Sequence, residues 1–135
     1  MFTPTPPPLA ATAPDPASAA RALDRAIDAP HGQGAALDRW RRLAQGHLVD
    51  LRSALSAEAD PAADGWLAAR SGGLLRERDA LVARSAGLLG SVLGAPDVER
   101  VRSDLRRFLE DVAHHLQRRH DLAYDSVELE LGGSE

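Results

Sequence analysis

Between Leu74 and Leu93 the apolar residues arrive in pairs: Leu74/Leu75, Leu81/Val82, Leu88/Leu89, then Val92/Leu93. A repeat of seven lays one apolar seam along a helix. A strand would need alternation every second residue. The same steps of three and four recur twice more. Leu37, Trp40, Ala44, Leu48, Leu51 and Leu55 form one stripe, and Val98, Val101, Leu105, Phe108, Leu109, Val112, Leu116 and Ala123 form another. Three long amphipathic helices follow from this periodicity.

Composition points the same way. Hydrophobic residues make up 44% of the 135, but aromatic ones only 4%. The core must come from Leu, Val and Ala, which suit helices better than sheets.

The punctuation between stripes sets the boundaries. Residues 1–17 hold six of the nine prolines and read as a disordered Pro/Ala-rich tail. Ser18 suits the N-cap of a short helix, "SAARALDRAIDA", whose mostly alanine face should dock weakly. "PHGQG" is a loop and "ADPAADG" a break. "WLAARSGG" reads as a separate helical turn or two, closed by Gly72 and Gly73. "GAPD" turns into the last helix, with Asp97 and Glu99 at its positive end.

That helix is expected to stop near Tyr124. In "YDSVELELGGSE" the alternation of Val127, Leu129 and Leu131 fits a short strand or a continued helix. The absence of a second strand favours helix fraying into a tail. The expected fold is all-α: an antiparallel up-down-up bundle of three long helices plus a short N-terminal helix. Its domain spans 18–125, with an acidic tail or frayed end at 126–135.

Several function classes lose ground on charge alone. The net charge is −4 and the pI about 5.7, so no global basic field exists to hold nucleic acid. The local arginine runs are diluted by carboxylates. No apolar segment reaches the roughly 20 residues needed to cross a bilayer, and no signal-peptide pattern opens the chain. Cysteine is absent, which removes disulfides and thiolate chemistry. All 16 basic residues are arginine, the codon bias of a GC-rich bacterium. A cytoplasmic location is expected.

The stretch with most chemical character is "EDVAHHLQRRHD", Glu110 to Asp121, with three of the chain's five histidines. At about 100° per residue, with Val112 facing the core, His114 points roughly 160° away. His115 lies about 60° to one side and His120 about 80° to the other. No single ion can gather all three. Glu110/His114 and Asp111/His115 make carboxylate–imidazole pairs at i, i+4, and the second flanks the core.

His47 and Asp50 sit at the edge of the earlier stripe. The helices carrying His47 and His115 run parallel in the expected fold, so His47, Asp50, Asp111 and His115 form a candidate transition-metal site between helices. Such a site is similar in broad design to those of hemerythrin-like and ferritin-like proteins. Those families repeat ExxH or HxxxE pairs on several helices, whereas this chain has no ExxH, and Leu74–Leu93 contains no histidine. The competing reading makes His47 and His115 boundary residues, partly buried and hydrogen-bonded, with a pH-responsive role as a further option.

Catalytic signatures are missing. No Ser/His/Asp ordering or strained elbow presents a nucleophile, and "RSGGLLRER" lacks the GK[ST] of a phosphate loop. Arg78 and Ser85 interrupt the apolar seam, where polar residues fix register or oligomeric state. Tyr124, Val127, Leu129 and Leu131 have no obvious place in the core and are the candidate contacts for a partner. The sequence thus favours a non-enzymatic helical module without cofactor, an adaptor, regulator or assembly subunit that binds another protein or itself. A bundle metal protein is the alternative.

Overall fold

The structure, a computed structural model, describes residues 15–58 and 67–132; for 67, 68, 126 and 128–132 it describes the backbone alone. The expected disordered tail at 1–14 and the "ADPAADG" break lie outside these residues. Every described element is an α-helix: α1 (Pro16–Asp28), α2 (Ala35–Ser56), α3 (Leu67–Gly94) and α4 (Val98–Gly132). The all-α expectation holds over this range.

α1 begins earlier than the sequence suggests. Pro16 occupies its first turn, where a missing N–H costs nothing. Asp15, rather than Ser18, is the cap: its carboxylate accepts from the Ser18 N–H at 3.2 Å. Nor does α1 dock weakly. Ala19, Leu23 and Ile27, spaced by four, are buried in the main core. Two large side chains in one stripe are enough to seat a short helix.

Gly32 and Gly34 turn the chain into α2 with φ of 62° and 59°. At Gly32 an added Cβ would come within 2.9 Å of the Ala36 Cβ, so this turn requires glycine. α2 buries Trp40, Ala44, Leu48, Leu51, Ala54 and Leu55.

α3 corrects a second expectation. It runs unbroken through Gly72 and Gly73, so "WLAARSGG" is no separate turn. Two glycines cost about 2 kcal/mol of helix propensity. Packing outweighs this: Ser71 and Leu74 are buried, Leu74 meets Leu122 of α4, and Arg70 pairs with Asp125 at 2.9 Å. α4 corrects a third. It does not stop near Tyr124 but stays helical to Gly132, and the strand alternative drops out.

Each helix lies against two others, in the order α1–α2–α3–α4–α1. Side-chain bonds fix the directions. Arg41, early in α2, donates to the carbonyls of Val92 and Ala95 at the end of α3. Arg106, early in α4, reaches Asp28 at the end of α1 at 2.8 Å. Asp15 and Ala17 share a groove with Leu116, Arg119, His120 and Ala123 of α4. Contacting helices therefore run antiparallel. Phe108, Leu105 and Val112 fill the centre with Leu23, Leu48, Leu51 and Leu55. Among the described residues no helix is long and apolar enough to cross a membrane.

A buried histidine between two glutamates

The core stripe of α4 has one polar member. His115 is fully buried, a turn beyond Val112, at the end of the molecule where α2 stops. Its Nδ1 lies 2.6 Å from Glu77 Oε1 of α3, and its Nε2 lies 2.9 Å from Glu58 Oε2, just past the end of α2. The Glu58 side chain is only 3% exposed.

Carboxylates only accept hydrogen bonds, so both ring nitrogens must donate. A neutral imidazole has one N–H, and two bonds require the imidazolium. The energetics agree. Burial pulls His115 towards its neutral form, but the bonds and charges of Glu58 and Glu77 outweigh it and raise the pKa.

Two guanidinium groups complete the network. Arg118 grips Glu77 through Nε at 3.2 and 3.1 Å and through Nη2 at 2.6 Å. Arg119 Nε stands 3.4 Å from Glu58 Oε2. Partial burial pushes the Glu77 carboxyl up, but hydrogen bonds from Arg118 and His115 hold it below the usual carboxylate range. Arg78, half-buried, donates to the Glu58 backbone carbonyl at 3.1 Å and pairs with Asp79 at 3.0 Å.

The other candidates fall apart in space. Asp111 faces Arg84, whose guanidinium also stands 5.4 Å over the Phe108 ring. His47 is half-buried and Asp50 exposed, and α2 lies across the core from α4 rather than beside it. Both His115 nitrogens are occupied. Among the described residues no group of three or more His, Cys, Asp or Glu side chains is placed to hold a metal ion. His114 and His120 are both exposed while His115 is buried, so the histidines diverge. Ser85 is buried and spends its hydroxyl within α3, on the Val82 carbonyl at 2.6 Å.

Beyond the network α4 carries Tyr124, 59% exposed, and Val127, 54% exposed, one turn apart. The side chains of Leu129 and Leu131 lie outside the described residues. Between α3 and α4 runs a groove of about 370 Å³ lined by Arg70, Gly73, Leu74, Glu77, Arg118 and Asp121.

Sequence reasoning placed His115 at the core's edge but missed Glu58 and Glu77. The nearest signal was the Arg118–Arg119 pair, three and four residues after His115, which marks where carboxylates are needed.

No protein-family model and no solved structure matches the chain. Among curated proteins it is similar to the urease accessory protein UreE of Ralstonia nicotianae (strain ATCC BAA-1114 / GMI1000), 36% identical over 113 residues. The match takes in 80% of this chain and 53% of that protein, so the chain spans about half the length of the curated relative it matches.

Proposed function

We propose that this chain is a non-enzymatic accessory module of the bacterial cytoplasm that works by binding another protein through the last turns of α4. The observation that carries this is the pair Tyr124 and Val127, more than half exposed on a helix that continues past them. Large apolar side chains side by side on a rigid helix are the usual anchors of helix-mediated recognition. Leu129 and Leu131 belong to the same contact element in this reading. The name of the curated relative, an accessory protein, supports a role beside an enzyme rather than as one.

The test is native mass spectrometry of the chain purified from its own host, alongside a variant lacking 126–135 and a Tyr124→Ala/Val127→Ala variant. A second polypeptide bound to the parent and lost from both variants, whose melting temperatures stay unchanged, is the expected result. Equal retention by all three would remove the C-terminal stretch as the contact. The same spectrum reads the alternative of a metal protein: a bound transition metal would appear as a mass increment, though not one held jointly by His47, Asp50, Asp111 and His115, which the fold keeps apart.

A further inference from the structure

We propose that His115 is a proton-operated latch, which as the imidazolium clamps the end of α2 and the middle of α3 onto α4 and on losing a proton releases the Glu58 end. The groups around it come from each neighbouring element. Glu58 follows α2. Glu77 and Arg78 come from α3, and Arg118 and Arg119 from α4. Asp15, at the start of α1, lines the groove that Arg119 also lines.

The asymmetry of the two bonds says which one fails. A neutral ring keeps one N–H. The Glu77 contact is the shorter, at 2.6 Å, and Arg118 holds both Glu77 oxygens in place. The proton therefore stays on Nδ1. Nε2 then turns a lone pair on Glu58 Oε2 at 2.9 Å. That carboxylate is almost wholly out of water, and its Oε1 has no partner among the described residues. Arg119, at 3.4 Å, is its remaining cation. A buried anion facing a lone pair is expelled towards solvent. The last turn of α2, held by the bonds from Ala57 N–H to Ser53 O and from Glu58 N–H to Leu55 O, moves with it.

The direction in pH follows from linkage. The folded-state pKa of His115 is raised above its ordinary 6.5. Its contribution is complete below that value and is lost as pH rises through the folded midpoint. Between the two midpoints the folded state holds one more proton than the unfolded chain. The folding constant should then fall, by at most about tenfold per pH unit, and level off above the folded midpoint.

The experiment combines a proton NMR titration of the His115 ring in the full chain with urea unfolding from pH 6 to 10. Amide exchange of residues 53–58, corrected for intrinsic rate, completes it. Expected are a midpoint above 6.5, a loss of up to tenfold per unit ending at that midpoint, and faster exchange at 53–58 beyond it. His115→Gln should abolish the slope. Should that variant fail to fold, Glu77→Gln should lower the midpoint and narrow the window. A midpoint at or below 6.5, a folding constant flat with pH, or unchanged exchange at 53–58 across the midpoint would each overturn the latch.

Discussion

Leu122→Ala asks whether the far end of α4 belongs to the fold. Leu122 is fully buried, yet it packs with Leu74 in a small cluster apart from the main core. Truncating a buried leucine costs about 2–5 kcal/mol, more where the surroundings hold the cavity open. With one large partner this site can partly collapse, which puts the expected loss near the lower bound, about 2–3 kcal/mol. Urea unfolding followed by circular dichroism would register it as a midpoint lower by roughly 0.7–3 M, given a slope of about 1–3 kcal/mol per molar. Tyr124→Ala, at an exposed position two residues on, should shift stability by under about 0.5 kcal/mol. If Leu122→Ala also shifts it by less than that, the end of α4 is not docked. The reasoning that carries α3 through its two glycines would fall with it, since the Leu74–Leu122 contact is what offsets their helix cost.

Two further outcomes test other joints. Arg41→Ala should cost about 1.5–3 kcal/mol in the same assay, because it strips charged donors at 2.9 and 2.7 Å from the Val92 and Ala95 carbonyls, which otherwise lack helical partners. Ser85→Ala should change stability by less than about 1 kcal/mol and leave the molar mass by light scattering unaltered, because the hydroxyl bonds only to its own helix; an altered mass would restore Ser85 as a determinant of assembly.

The core was the most legible part of this chain. Val101, Leu105, Phe108 and Val112 are buried as their spacing demands, as are Trp40, Ala44, Leu48, Leu51 and Leu55. Periodicity sees them because each stripe needs only its own helix. Boundaries were harder. Gly72 and Gly73 argue locally for a break, and nothing local announces the Leu74–Leu122 and Arg70–Asp125 contacts that carry α3 through them. The site was hardest. His115 finds its glutamates 38 and 57 residues away, and no local pattern encodes a partner at that distance. Asp111, the carboxylate one turn before it, was the natural guess, but it faces Arg84 instead.

The cyclic order of the helices bears on how the chain reaches this state. Three of the four seams join helices adjacent in sequence, and only the α1–α4 seam joins distant ones. Contacts between sequence neighbours cost little loop entropy and form early, whereas bringing residue 15 to His120 and Ala123 closes most of the chain into one loop. Loop entropy therefore predicts that the seam from α1 to α4 forms last and parts first. On that expectation the chain folds as a row of helices that rolls up, with Leu23 and Ile27 as the edge that shuts it.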